Sequence, residues 1–304
     1  MAKISPFLDT DLRLGRTVAL IGAEAGKYPS GNSLLVVGAD TSALIDPSVS
    51  VFDRGGAPAP VDRMLLSHAH EDHMAGVGLY PDAPVHAHHE DLLGVRSLDG
   101  LMEMYGMTPE HEASFREVVL DEFHYTARPD AVGFADGTTF DLGGGVRIEV
   151  VHLPGHTRGH CGFLVEPDGV FFVADVDLSS FGPYYGDHWS DLEDFEAAMR
   201  RCREIDARWY ATFHHKGIVE GREDFLAALS AFEGVIERRE KRLLDFLTEP
   251  RTLAEIAAHR LVYRPDVELI WVDETETRTA QRHLTRLLRD GVVVEPEPGR
   301  YRAA

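Results

Sequence analysis

The chain has 304 residues, 51 acidic against 30 basic for a net charge of −21, and 44% apolar side chains. At roughly 150 residues per domain this is one large domain, or a large one and a small one, and the ordinary apolar fraction excludes disorder, collagen and coiled coil. No apolar run approaches the ~20 residues that span a bilayer. The first fifteen residues lack the basic start and apolar stretch of an export signal, and the only cysteines, Cys161 and Cys202, lie far apart, so the expectation is a cytoplasmic protein without a disulfide framework.

Thr17 to Ile21, Ser33 to Val37 and Ala43 to Ile45 are short β-branched or apolar runs bounded by turn residues and predict strands. Met64 to Leu66 is another, followed at once by a cluster of histidines. Residues 88–120 read as charged helices in a surface insert. Strands return at Val146 to Val151, Phe163 to Val165 and Val170 to Ala174, and helices at 191–204 and 222–247. Two successive sets of strands and helices predict an α/β sandwich of two similar halves. A second unit is expected over 241–304, leaving 1–240 as the larger one. Thr252 and Glu255 form a capping box opening a helix from Leu253 to Leu261. A second helix runs from about Glu274 to Asp290 and stops at Gly291, and Val292 to Tyr301 reads as a hairpin. Helix, helix and hairpin predict a small winged-helix-like module.

The net charge weighs against nucleic acid as a partner, because binding phosphates takes clusters of Lys and Arg. Residues 241–304 carry 11 basic and 11 acidic side chains, so the whole excess lies in residues 1–240, where bound cations would offset part of it. The 16 histidines point the same way. Most telling is Ser67-His68-Ala69-His70-Glu71-Asp72-His73. In an extended or loop segment His68 and His70 point to one side and grip one ion, while Asp72 and His73 reach a second position. Imidazole with carboxylate suits Zn²⁺, Fe or Mn²⁺. Further candidates stand at strand ends: His156 in Pro154-Gly155-His156, Asp175 after Phe171 to Ala174, and the pair His214-His215 after Trp209 to Phe213.

This ordered pattern, His-x-His-x-Asp-His followed by a His, an Asp and a last His, resembles the metallo-β-lactamase superfamily over roughly residues 15–220. The resemblance implies an αββα sandwich with two divalent metal ions at one edge, zinc first and iron or manganese as alternatives. His68, His70 and His156 would bind the first ion, Asp72, His73 and His215 the second, and Asp175 would bridge them. His214 competes for the last place; His215 is preferred because His-Lys-Gly is similar to the Ser-His-x-Gly ending of relatives. A single-iron site, as in thiol-ester dioxygenases with a similar front motif, is a minor alternative.

Two cations about 3.5–4 Å apart lower the pKa of a shared water towards ~7. The expected activity is therefore hydrolysis of an ester, thioester or lactone of a small molecule, with Asp72 orienting the attacking hydroxide. Tyr184 and Tyr185 are candidate donors to the developing oxyanion, as a tyrosine is in lactonases of that superfamily. Cys161 reads as packing, the cluster His86, His88 and His89 as exposed, and His160 equally as a partner of the ligands or as solvent-facing. The competing reading is a ribonuclease or phosphodiesterase in which the C-terminal unit binds RNA through Arg278, Arg282, Arg286 and Arg289. As many acids accompany that row, and a solvated helix face or dimer contact is favoured for it. The expected partner is a small acyl substrate rather than nucleic acid or a membrane, with a homodimer as a candidate assembly.

Overall fold

The computed structural model describes residues 6–304. The first strands, β1 (Leu12–Leu14), β2 (Thr17–Leu20), β3 (Ser33–Val37), β4 (Ser42–Ile45), β5 (Arg63–Leu65), β6 (Val85–His88) and β7 (Val132–Phe134), form one sheet in sequential order. It is antiparallel as far as β4 and parallel from β4 to β7. The second sheet has the order β13-β12-β11-β10-β9-β8, built from β8 (Thr139–Gly143), β9 (Val146–His152), β10 (Cys161–Glu166), β11 (Val170–Ala174), β12 (Trp209–Thr212) and β13 (Ile218–Glu220). Only β11 and β12 run parallel in it.

The continuous apolar runs seen in the sequence follow from both faces of each sheet being covered. In β3, Leu34 and Val36 meet Phe163 and Phe172 between the sheets, while Leu35 packs outward. In β11, Val170, Phe172 and Ala174 face inward while Phe171 and Val173 meet the outer helices. The outer face of the first sheet is covered by α1 (Val49–Asp53), α2 (Glu71–Met74), α3 (Leu92–Arg96), α4 (Leu98–Tyr105) and α5 (Pro109–Asp121). That of the second is covered by α6 (Leu192–Cys202) and α7 (Arg222–Phe246). The molecule is thus the expected αββα sandwich.

Two expectations change. The helices between 88 and 120 are not a surface insert: Leu101, Met102, Met104, Tyr105, Phe115 and Val119 are buried in the core of the first half. Their charges lie on the opposite face. His88 is not exposed either; it sits in β6 with its ring stacked on His152 at 4.1 Å, and burial pushes its pKa down to about 4.

α7 runs without a break through residue 240 into the C-terminal unit. There the capping box opens α8 (Leu253–His259), and α9 (Val272–Arg289) follows. A three-stranded sheet of order β14-β16-β15 completes it, from β14 (Arg251–Thr252), β15 (Val293–Glu297) and β16 (Arg300–Ala303). A separate cluster containing Leu243, Leu247, Ile256, Leu284 and Val293 holds these elements together.

The arginine row of α9 is turned inward, against the expectation of a solvated face. Arg278 donates to the carbonyls of Gly106 and Gly186, and Arg282 to those of Asp187 and Ser190. Arg286 pairs with Glu196 and Glu240. The exposed Arg289 reaches Glu193 at 2.7 Å. Charge on this helix face is spent on docking α9 to the sandwich. Among the described residues no helix is long and apolar enough to cross a membrane.

Candidate metal centre

The motif residues gather where strands end. His68 and His70 follow β5, with His70 as the N-cap residue of α2, and Asp72 and His73 lie in that helix, all buried. His156 comes from the turn after β9, Asp175 directly after β11, and His214 after β12. The turn carrying His156 needs Gly155: its φ is +123°, and a Cβ there would stand 2.1 Å from the Phe195 backbone nitrogen.

Two groups of candidate ligands result, His68, His70, His156 and Asp175 in one, Asp72, His73 and His214 in the other; within each, the ligand atoms lie within 4.8 Å of one another. Asp175 reaches both, with Oδ2 3.2 Å from His156 Nε2 and Oδ1 3.1 Å from His73 Nε2. That is the position of a carboxylate bridging two cations.

His214, not His215, completes the second group. Phe213 stacks on His73 with ring centroids 3.5 Å apart, and His214 Nδ1 donates to the Gly26 carbonyl at 2.8 Å, which aims Nε2 at Asp72 Oδ2, 3.1 Å away. The backbone then turns at His215 with φ +61°. Its side chain consequently leaves the cluster for the cavity rim, 4.0 Å from Asp177.

The hydrogen bonds around the cluster fix the imidazole tautomers. His73 Nδ1 donates to Asp46 Oδ2 at 2.8 Å and His156 Nδ1 to the Tyr184 carbonyl at 2.9 Å, and His70 Nε2 stands 3.0 Å from Asp187 Oδ2. Ser67 Oγ donates to Asp46, so its bond with His68 Nδ1 comes from the imidazole. In its neutral form each ring would therefore turn a lone pair inward, the state in which histidine binds a metal. His70 Nδ1 and His156 Nε2 face each other at 3.0 Å. His68 Nε2, His73 Nε2, Asp72 Oδ2 and Asp175 Oδ1 are buried without a hydrogen-bond partner. Ring nitrogens and carboxylate oxygens gathered this closely are costly to bury unless protons or cations stand between them, and imidazole with carboxylate is a donor set that fits divalent cations.

Charge agrees. Burial, reinforced by the neighbouring histidines, holds the His68 pKa well below the ordinary value. For His73 and His214 burial acts the same way but is outweighed by carboxylates. Asp175, Asp72 and Asp46 raise His73, and Asp175 with Asp72 brings His214 up to about 9. The second group thus sits in a field that attracts positive charge.

Sequence reasoning did not find three buried carboxylates that hold this arrangement. Asp46 accepts from the Ser67 backbone at 2.6 Å as well as from His73. Asp91 ties the two ligand loops together, accepting from Ala69 N, Gly159 N and Thr157 Oγ1. Asp187 fixes His70. None stands in a recognisable motif; that Asp46 closes an apolar strand, as Asp175 does, was the one available signal. His160 is buried, donating from Nδ1 to the Leu153 carbonyl and accepting the Asp175 N–H at Nε2, 3.2 Å away. It positions the backbone of the bridging carboxylate.

The tyrosines separate. Tyr184 lines the cavity over the site, but its hydroxyl is bonded to Asp187 and Thr275, each at 3.0 Å, and so steadies the partner of His70 instead of pointing at a reacting carbonyl. Tyr185 lies behind the wall, buried, with its hydroxyl on His283 at 2.9 Å, and has no access to the site. Glu71 was also missed. Its buried carboxylate faces the cavity and accepts from the hydroxyls of Tyr28 and Tyr105.

Residues 27–215, more than half of the chain, match the family model of the metallo-beta-lactamase superfamily. The chain belongs to the metallo-β-lactamase superfamily. It is 25% identical over 219 residues to an atrochrysone carboxyl ACP thioesterase of Paecilomyces divaricatus, covering 68% of this chain and 57% of that protein. It is 25% identical over 176 residues to the N-acyl homoserine lactonase AttM of Agrobacterium fabrum, covering 56% and 60%. The matches thus span little more than half the length of these curated relatives. Among solved structures, a metallo-beta-lactamase family protein of Thermus thermophilus superposes with a TM-score of 0.69 at 22% identity, covering 95% of this chain and 99% of that one. That likeness shows a shared fold over most of the chain.

Two outcomes follow. His214→Ala is expected to lose about one metal ion per chain while His215→Ala keeps both, as measured by metal analysis of the purified variants. His160 has a folded pKa of about 3 against an ordinary 6.5, so the neutral ring stabilises the fold. That contribution is full above pH 6.5 and falls by about 1.4 kcal/mol for each pH unit below it, down to about 3. His160→Gln, which keeps a donor and an acceptor, should flatten the acid limb of stability in denaturant titrations between pH 7 and pH 5.

Proposed function

We propose that the chain is a metal-dependent hydrolase of a small-molecule ester, thioester or lactone. The observation that carries this is the cavity over the cluster. It encloses about 980 Å³, counting its open mouth, and is lined by His70, Glu71, Asp72, His156, Asp175, Asp177, His214 and His215 on the metal side and by aromatic and aliphatic side chains elsewhere. Among the described residues no Lys or Arg lines it, so it lacks the basic clusters that track the phosphates of RNA. Arg278, Arg282 and Arg286, which a nucleic-acid reading would use, are engaged within the chain.

Two divalent ions held by His68, His70, His156 and by Asp72, His73, His214, with Asp175 between them, would supply Lewis acidity toward a carbonyl and toward water at neutral pH. The chain's own residues set the geometry. Asp46, Asp187 and the Tyr184 carbonyl hold the imidazoles with their lone pairs inward. Asp72, which borders the cavity, is the carboxylate placed to orient the attacking water and take its proton. The apolar walls exclude competing water and receive the acyl group. Zinc is the expected metal, with iron or manganese compatible with the same donors. The thioesterase and lactonase relatives support carbonyl chemistry, and both thioesters and lactones are carried as substrate classes. The C-terminal unit is read as winged-helix-like, serving the cavity rather than nucleic acid, and the protein as cytoplasmic.

Turnover of neutral thioesters or lactones by metal-loaded protein should vanish with chelator, return on adding metal, and change less than twofold between 50 and 200 mM salt. Phosphate-dependent binding through six to ten contacts would fall by about 10³–10⁵ over that range. His68→Ala and Asp175→Ala should each lower kcat/KM at least 10²-fold. Cleavage of RNA with no turnover of carbonyl substrates would contradict the proposal.

A further inference from the structure

The walls of the cavity are distinctive in two ways. First, they are ring-lined and continuous. Tyr105 packs edge-on against Phe115 with centroids 4.9 Å apart, Phe115 against Trp271 at 5.8 Å, and Phe181 against Tyr263 at 5.5 Å. Trp271 Nε1 donates to the Tyr263 hydroxyl at 3.2 Å and joins the two sets. Second, their charge is one-sided. The ionisable side chains lining the cavity are carboxylates, histidines and tyrosines, with Glu71, Asp72, Asp175 and Asp177 against no Lys or Arg.

One wall belongs to the C-terminal unit. Tyr263, Leu269 and Trp271 all lie on the segment joining α8 to α9 or at its end. That segment is fixed in place: the buried Glu276 carboxylate accepts the backbone N–H groups of Leu261, Val262 and Tyr263. The adjoining rim is held from α7, where the buried Arg239 donates to the carbonyls of Phe181 and Pro183. Yet Leu269 and Phe181 are 45% and 38% exposed. Both line the cavity, so apolar surface stays open to water on walls that are otherwise rigid, and a ligand of matching character would cover it.

From this we infer that the cavity selects an uncharged aromatic acyl group, and that Tyr263, Leu269 and Trp271 of the C-terminal unit determine this specificity. The inference rests on the hydrolase reading above and narrows its substrate class. A flat ring gains edge-to-face and offset contacts on such walls that an acetyl group is too small to make, and a carboxylated acyl group meets no Lys or Arg among the described residues.

The test uses full-length, metal-loaded protein and three thioesters of one neutral thiol, carrying 2-naphthoyl, acetyl and succinyl groups. Binding of 2-naphthyl methyl ketone, which has no bond to hydrolyse, is followed separately by tryptophan fluorescence. The expected kcat/KM is at least tenfold higher for naphthoyl than for acetyl, with succinyl the poorest. Leu269→Ala and Trp271→Ala should lower the naphthoyl-to-acetyl ratio roughly tenfold or more, chiefly through KM, and Leu269→Ala should weaken ketone binding. Leu269 is partly exposed, so its truncation remains a fair test if Trp271→Ala fails to fold. Acetyl or succinyl turned over as well as naphthoyl, or an unchanged ratio in a folded Leu269→Ala variant, overturns the specificity and leaves the hydrolase reading standing. Tight ketone binding with no turnover of any thioester or lactone overturns the hydrolase reading and keeps the aromatic site. Neither binding nor turnover overturns both.

Discussion

Everything in the catalytic half is arranged around one electrostatic constraint. Seven imidazoles and carboxylates turn ring nitrogens and carboxylate oxygens toward one shared space. His70 Nδ1 and His156 Nε2 meet at 3.0 Å, and His68 Nε2, His73 Nε2, Asp72 Oδ2 and Asp175 Oδ1 are buried without a hydrogen bond. Such a cluster repels itself unless cations occupy it. The outer hydrogen bonds, from Asp46, Asp187, Ser67 and the Tyr184 and Gly26 carbonyls, make the arrangement rigid by fixing the tautomers. The sandwich provides the placement, since the ligands stand at or just beyond the ends of β5, β9, β11 and β12 on one edge.

The C-terminal unit extends the same logic outward. The chain from His70 to Asp187 to Tyr184 ends on Thr275 of α9, and Arg278 and Arg282 of that helix hold the carbonyls of Gly106, Asp187 and Ser190. The unit is therefore coupled to the support of one ligand and also builds part of the cavity wall. The arginines of this helix face serve as internal attachment of α9 to the sandwich.

The fold was legible because its signals are local. Strands such as Ser33–Val37 and Val170–Ala174 are apolar on both faces, and the four front ligands crowd into six residues whose spacing alone brings them together. Thr252 with Glu255 marked the start of α8 correctly because a capping box is a contact over three residues. What could not be read depends on distant partners or on a single dihedral. The choice between His214 and His215 turns on one positive φ. Asp46, Asp91 and Asp187 matter only through residues 21 to 117 positions away. Tyr185 and Tyr184 are adjacent in sequence yet lie on opposite sides of the same wall. The helices at 88–120 were misread because their charges were visible and the core face behind them was not.

The central claim is that the cluster holds two ions bridged by Asp175. X-ray absorption at the metal edge, on protein whose metal content has been counted, tests it directly. Two ions per chain with metal–metal scattering at about 3.5–4 Å and histidine-rich shells is the predicted result. One ion per chain after saturation with metal, and no metal–metal scattering, would contradict it.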